Sequence, residues 1–358
     1  DPDLTGNFNM TDNTTKSPEA AEPDKVPIEN VADEKRETSW PLVLFLIHLY
    51  ILGVYGLVIV FTNTSLLTIF FAAILIWLGV LGTTAGAHRL WAHKTYKATK
   101  YLRIFLMLCQ TLGGQVILCS IKNGSIYDWV RSHRLHHKTF KTKDDPFYSN
   151  KNFLSGYIFS YCKNYSKKQQ KMLEEIDMSD IEMDEVVMFQ KKYYWVLYFI
   201  FCILLPINTP FEYWNDTLMA SIFVAFSLRY LITHSICYLV NSAHMLWGLE
   251  SSRKPSDSNM IFLITKSYWP QYHYLLPNDY QSGEFGNYGD GCMTAMIRVF
   301  AALGVASDLQ TVSSEAVRKG LTEAVETDKP IVDCIQEAAI QEMKNLPEDH
   351  YLNKSKFL

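Results

Sequence analysis

The chain has 358 residues, of which 48% are hydrophobic and 14% aromatic, and a formal net charge of -4. A charge so close to neutral excludes the basic field that a nucleic-acid partner needs. Seven cysteines (109, 119, 162, 202, 237, 292 and 334), scattered and without a CxxC pair, exclude a disulfide framework.

Residues 1–39 carry ten acidic and four basic side chains and little that is apolar. That composition predicts a solvated, disordered acidic tail rather than a signal peptide, and on the cytosolic side its Asn13-Thr14-Thr15 triplet would stay unglycosylated. An uncharged apolar run follows from Trp40 to Phe61, about the 20 residues that cross a bilayer. The polar turn Thr62–Ser65 leads into a second run, Leu66 to about Thr84, so the two spans are expected to form a tight hairpin. Tyr101–Cys119 is apolar but contains Arg103, Gln110 and Gly113-Gly114, which predicts a surface-lying or protein-covered helix. A third span is expected over Val187–Leu205, ended by Pro206, and a fourth over Leu218–Val240 with Arg229 inside it. The fold class is therefore an all-α polytopic membrane protein: four transmembrane helices within a domain over 40–318, and a helical cytosolic cap. Beyond it, a tail over 319–358 has helical periodicity (Leu321, Ala324, Val325, Ile331, Ile335, Ala338, Ala339) and predicts an amphipathic surface helix.

Lysine and arginine set the expected orientation. The turn at 62–65 and the loop at 206–217 carry neither residue, whereas Arg89, Lys94, Lys97, Lys100, Arg131, Lys138, Arg253 and Lys254 follow the second and fourth spans. The positive-inside rule places both termini, 85–186 and 241–358 in the cytosol.

Ten histidines are present, and eight of them lie near this cytosolic boundary. His88 and His93 bracket Arg89-Leu90-Trp91-Ala92. His133, His136 and His137 lie three and four residues apart, so on a helix they share one face and can aim three imidazoles into one space. His88 and His93, five apart, stand about 140° from each other on an ideal α-helix and converge only if the helix ends or loosens. His234 and His244 flank Asn241, and His273 follows in Gln271-Tyr272-His273. An all-imidazole set suits iron, zinc, copper or nickel and makes calcium and magnesium poor candidates. His48 and His350 stand alone and read as ordinary surface or core residues. Bis-histidine haem binding fits poorly, because the histidines cluster at one boundary instead of pairing across two spans.

These motifs resemble the membrane acyl-CoA desaturases of the stearoyl-CoA type, the insect members most of all. Gly86-Ala87-His88-Arg89-Leu90-Trp91-Ala92-His93-Lys94 is similar to that family's first histidine box, and Asp128-Trp129-Val130-Arg131-Ser132-His133-Arg134-Leu135-His136-His137-Lys138 to its second. Leu239-Val240-Asn241-Ser242-Ala243 is similar to the end of its fourth span. The resemblance covers about residues 38–318. It implies a tunnel for the acyl chain and two iron ions held by nine histidines and a water-linked asparagine. It further implies fatty acyl-CoA as substrate, cytochrome b5 as electron donor, membrane lipid as surroundings and the endoplasmic reticulum membrane as location. The metal ligands it implies are His88, His93, His133, His136, His137, Asn241 and His273. Trp129 and Arg131 become candidate tunnel and phosphate contacts, and Ile76 and Val80, twelve and eight residues before His88, candidates for setting tunnel depth.

The departures from the family pattern fall largely after the fourth span. Three ligand positions hold Met245, Pro270 and Tyr274, and Ser132 replaces an acidic residue. Methionine is a weak ligand for iron, tyrosine binds only as phenolate, and proline has no donor atom to offer. Two functions remain open on these residues. One is a desaturase with a rearranged metal shell in which His234, His244 or Tyr274 substitutes. The other is a pseudoenzyme that binds acyl-CoA, lipid or a desaturase partner without chemistry.

Overall fold

The computed structural model describes residues 36–344 apart from 115–123, 141, 148–159, 161, 247–268, 285–287 and 328; for 243–246, 269–271, 331, 332, 343 and 344 it gives the backbone alone. The acidic tail up to residue 35, Asn13, His350 and the side chains of His244, Met245 and Pro270 lie outside the described residues.

Helix α1, Trp40–Thr62, begins with Pro41 in its first turn, where a missing N–H costs nothing. Its 23 residues rise about 35 Å at 1.5 Å each, enough to cross the hydrocarbon core. Leu44, Ile51, Val54 and Phe61 remain exposed along it, a face that only lipid solvates well. Its inner face meets the fourth span closely, because a Cβ on Gly56 would lie 2.2 Å from the Phe223 carbonyl oxygen. Helix α2, Leu66–Leu81, is capped by the Ser65 side chain, which accepts from the Thr68 N–H. The carboxylate of Asp216 accepts from Ser65 Oγ (2.7 Å) and from Thr68 Oγ1, and Trp214 Nε1 donates to Thr68 Oγ1 at 2.8 Å. These bonds tie the first hairpin to the loop before the fourth span.

Among the described residues, four helices are long and apolar enough to cross a membrane: Trp40–Thr62, Leu66–Ala92, Glu185–Trp214 and Leu218–Ser242. The chain is an all-α polytopic membrane protein. Past Leu81 the second helix loosens into π-helical turns over Gly82–Ala92, and helix α3, Lys100–Gly113, packs beside it with Leu102, Leu106, Met107 and Cys109 buried. The segment expected to lie on the surface or under protein does both as far as it is described: Tyr101 and Phe105 stay exposed on one side, while Leu106–Gly113 is covered by protein apart from a half-buried Leu108. Gly114, at φ +61°, ends α3 in the left-handed region that glycine adopts without strain.

The third span differs from expectation. Pro206 does not end it: α7 (Glu185–Tyr198) passes through π-helical turns at Phe199–Leu204 into α8 (Leu205–Trp214). A proline inside a helix frees the carbonyl four residues earlier, here that of Cys202. Arg229 supplies the missing donor, its Nη2 bonding to Cys202 O at 2.7 Å while its Nη1 bonds to Leu112 O at 2.8 Å near the end of α3. The buried intramembrane cation thereby joins the fourth span (α9 Leu218–Ala220, π-turns Ser221–Leu228, α10 Arg229–Leu246) to both neighbours.

Helices α4 (Ile126–Thr139), α5 (Lys167–Glu174), α6 (Ser179–Glu182), α11 (Trp269–Leu275) and α12 (Cys292–Ala302) lie outside the four spans. The short antiparallel pair β1 (Lys97–Ala98) and β2 (Ala306–Ser307) fastens the chain after the second span to the segment after α12. The C-terminal periodicity also resolves differently from the single surface helix expected. It forms two helices, α13 (Ser314–Thr327) and α14 (Ile331–Lys344), because Pro330 interrupts the helical hydrogen-bond pattern. They bury Leu321, Ile335, Ala338 and Ala339 in one cluster with Tyr272 and Leu276. Val325 stays exposed.

Gly82 sets the approach of the second span to α3, since a Cβ there would lie 2.1 Å from Gln110 N and 2.4 Å from the carbonyl carbon of Cys109. The Gly82→Ala variant should lose about 1–3 kcal/mol of stability through forced separation of two backbones. Thermal unfolding in detergent checks this, and an unchanged midpoint would show that the helices part freely.

Candidate metal centre

The π-helical turns at Gly82–Ala92 supply the loosening that two histidines five residues apart require. The His93 N–H bonds to the His88 carbonyl at 3.0 Å, an i→i+5 link, and the two rings meet with centroids 4.7 Å apart. Lys94 then takes φ +54°, which turns the chain away. Helix α4 starts at Ser125, whose side chain accepts from the Asp128 N–H. It carries His133 and His137, i and i+4, to the same point, with ring centroids 4.6 Å apart. His273 arrives from α11, 5.1 Å from both His88 and His137.

One ring nitrogen from each of His88, His93, His133, His137 and His273 lies within 4.8 Å of all the others. Nitrogens 2.0–2.1 Å from a common ion stand at most about 4.2 Å apart, so shifts of a few tenths of an ångström suffice. The donors are prepared for this. His88 Nε2 and His137 Nε2 are buried with no hydrogen-bond partner among the described residues. His93 Nε2 and His133 Nε2 lie 2.8 Å apart, sharing one hydrogen. Burial, reinforced by the neighbouring imidazoles, holds His93, His133, His137 and His273 well below the ordinary histidine range, in the neutral form that ligates. The residues fit one imidazole-seeking transition-metal ion.

Hydrogen bonds behind the rings orient them. His88 donates from Nδ1 to Glu284 at 2.8 Å, and His133 from Nδ1 to Asn241 Oδ1 at 2.7 Å. Glu284 is fully buried. Desolvation would push its carboxyl up, but the Arg89 guanidinium and the bonds from His88 and Arg89 hold it far below the ordinary range. Arg89 donates to Glu284 from Nε and Nη2, both at 2.7 Å, and from Nη1 to Tyr280 O and Thr294 Oγ1. Sequence reasoning did not identify Glu284, which sits eleven residues past His273 in no periodic relation to it. Its signal was indirect: an arginine inside a histidine box at a membrane boundary demands a carboxylate.

His136 does not join the five. Its Nδ1 donates to Asp145 at 2.8 Å, and its Nε2 accepts from the Tyr274 hydroxyl at 2.7 Å. Burial, with Asp145 nearby, pushes the Tyr274 phenol far above its ordinary value, and its O–H is the donor in the bond to His136. His234 is buried in the fourth span two turns before Asn241, about 10 Å along the axis, and stays outside the five-histidine group.

Trp129 is buried and stacks on His133, centroids 4.9 Å apart and planes 16° from parallel. Arg131 reaches Asp128 at 3.5 Å and lies over the Tyr127 ring, with a buried Nε that bonds to no described group. The Ser132 hydroxyl is engaged by Tyr165 at 2.8 Å. On α2, Val80 is buried and Ile76 half-buried. The two boxes are clasped by Arg134, which forks onto Asp180 (2.8 Å to each oxygen) and donates to Trp91 O at 3.1 Å.

No protein-family model matches the chain. It is 39% identical over 293 residues to an acyl-CoA Delta-9 desaturase of Acheta domesticus, covering 80% of this chain and 78% of that protein. An acyl-CoA Delta(11) desaturase of Choristoneura rosaceana is 34% identical over 315 residues, 87% of this chain and 91% of that one. Stearoyl-CoA desaturase 2 of Mus musculus is 33% identical over 291 residues, 79% and 77% respectively.

Replacing Glu284 by Gln keeps its shape but removes the charge that holds His88 and neutralises Arg89. Metal affinity should fall about 10–100-fold, measured by competition with a chelator of known strength. Glu284→Ala should cost about 3–5 kcal/mol of stability, because Arg89 is left buried and unpaired. An affinity unchanged by Glu284→Gln would remove this carboxylate from the site.

Proposed function

The chain belongs to the membrane acyl-CoA desaturase family, and from that premise we propose that it oxidises fatty acyl-CoA at the histidine centre with curtailed desaturation. The observation that carries the proposal is the convergence of His88, His93, His133, His137 and His273 within 4.8 Å. The metal is proposed to be iron, which with dioxygen supplies the oxidising power that an unactivated C–H bond demands. Removing two hydrogens from the chain while one dioxygen becomes two waters takes two electrons from a donor, here proposed to be cytochrome b5, and two protons from water.

The chain's own residues do the rest. Glu284 and Asn241 fix which nitrogens of His88 and His133 face inward. Trp129, stacked on His133, is the proposed wall against the acyl chain, and Val80 and Ile76 the residues that set how deep the chain runs. Arg131, with its unused Nε donor, is the proposed contact for the CoA phosphates. The asymmetry of lysine and arginine supports cytosolic termini, and the endoplasmic reticulum membrane is proposed as the location from the family resemblance. The acidic tail over 1–39, the membrane domain over 40–318 and the tail beyond 319 are proposed as separate functional units, with chemistry confined to the middle one.

A silent acyl-CoA-binding protein is favoured by one observation, the engagement of His136 Nε2 by Tyr274. Expression in a desaturase-deficient host with fatty-acid profiling separates the two. Monounsaturated product should form at a level about tenfold or more below that of a relative with every histidine in place, and should vanish in His93→Ala. Product no higher than with an empty vector would establish the silent alternative. Joint restoration by Met245→His, Pro270→His and Tyr274→His should raise both iron content and product; unchanged iron would mean that the scaffold itself no longer accepts those ligands.

A further inference from the structure

We infer that each chain holds a single metal ion, caged by His88, His93, His133, His137 and His273, and that Tyr274 fills the place a second ion would need. The inference rests on the metal-binding part of the proposal above and departs from the two ions that the family resemblance implies.

Three observations carry it. Among the described residues, one group of three or more histidine, cysteine or carboxylate side chains lies within common reach, and it contains those five histidines but not His136. The rings at 133, 136 and 137 share a helix face, yet they divide. His133 and His137 stand 4.6 Å apart, while His136 stands 5.9 and 5.8 Å from them. Both nitrogens of His136 are engaged, Nδ1 with Asp145 and Nε2 with the Tyr274 hydroxyl. Lastly, Tyr274 is wedged in place. Its ring lies 9° from parallel with Phe140 and 4.8 Å from His137.

The arithmetic of donors points the same way. Paired catalytic ions sit about 3.5–4 Å apart, and each needs at least about three protein ligands. With five imidazoles committed to one ion, the described neighbours of the Tyr274 position offer one imidazole lone pair, which already accepts a hydrogen. The carboxylates that could offset a second dipositive charge are turned outward as orienting groups, Glu284 to His88 and Arg89, Asp145 to His136. Two adjacent cations without such compensation repel strongly in a dry site.

Cobalt(II) titration of chelator-stripped, detergent-purified full-length chain, followed by visible absorption and checked by elemental analysis, tests the count. The absorption should saturate at one equivalent. His136→Gln should keep that endpoint, while His93→Ala and His137→Ala should lose it, with circular dichroism confirming that each variant is folded. Saturation at two equivalents, no binding at all, or loss of the endpoint in His136→Gln would each overturn the inference. His136→Phe provides a second variant should the first misfold. The readout is independent of catalysis. One equivalent without acyl-CoA product would sink the proposed oxidation and leave the single site standing, whereas two equivalents with product would do the reverse.

Discussion

The ion pair between Arg89 and Glu284 is the interaction on which the site depends. Each side chain is only 2% exposed, so both charges have left water, at a cost of several kcal/mol per ion that Coulomb attraction alone barely repays. The balance is met by hydrogen bonds. Arg89 places donors on Glu284 twice, on Tyr280 O and on Thr294 Oγ1, and His88 donates to the same carboxylate. The end of the second span is thereby fixed to two segments distant from it in sequence, the stretch after α11 and the start of α12. The histidine centre inherits its geometry from that junction, because the residue beside Arg89 is His88 itself.

A second device recurs through the membrane part. Three of the four spans contain π-helical turns, at Gly82–Ala92, Phe199–Leu204 and Ser221–Leu228. Wider winding releases or redirects backbone groups, which a membrane forbids unless a partner is supplied. At the first, the release brings His88 and His93 together. At the second, it precedes Pro206, and the freed Cys202 carbonyl is met by Arg229. The same guanidinium bonds to Leu112 O near the end of α3, so one buried cation resolves two helix irregularities. Irregular winding and buried arginine are mutually dependent here: neither is tolerable in lipid alone.

Much of this was legible in the sequence, for definable reasons. Four runs of about twenty apolar residues announce spans because lipid imposes a length. Spacings of three and four announce a shared helix face, and the spacing of five between His88 and His93 carried its own requirement that the helix loosen. What was hidden depends on tertiary partners. Glu284 has no periodic relation to the box it serves. Pro206 reads as a stop unless Arg229 is known to face it. The face shared by 133, 136 and 137 could not reveal that the middle histidine turns toward Asp145 and Tyr274. Lys329-Pro330 does carry a break signal, and the apolar periodicity running past it hid the pairing of two C-terminal helices.

Where the family resemblance implies a histidine ligand at 274, the tyrosine present need not unsettle the fold. A histidine would bring a lone pair, and two facing imidazole lone pairs call for a cation or a shared proton between them. A tyrosine brings a hydrogen instead. The slot beside His136 is then satisfied by an O–H···N bond, whereas a buried acceptor left unpaired would cost about 1–3 kcal/mol. Asp145 continues to hold the other nitrogen, as a carboxylate behind a metal-bound histidine would. Stacking on Phe140 adds the packing of two half-buried rings. The substitution inverts the polarity of the position while keeping a hydrogen-bond partner for His136. Stability and two-metal chemistry are separable at this point, because what the fold needs there is a hydrogen-bond partner and what the chemistry needs is a charge.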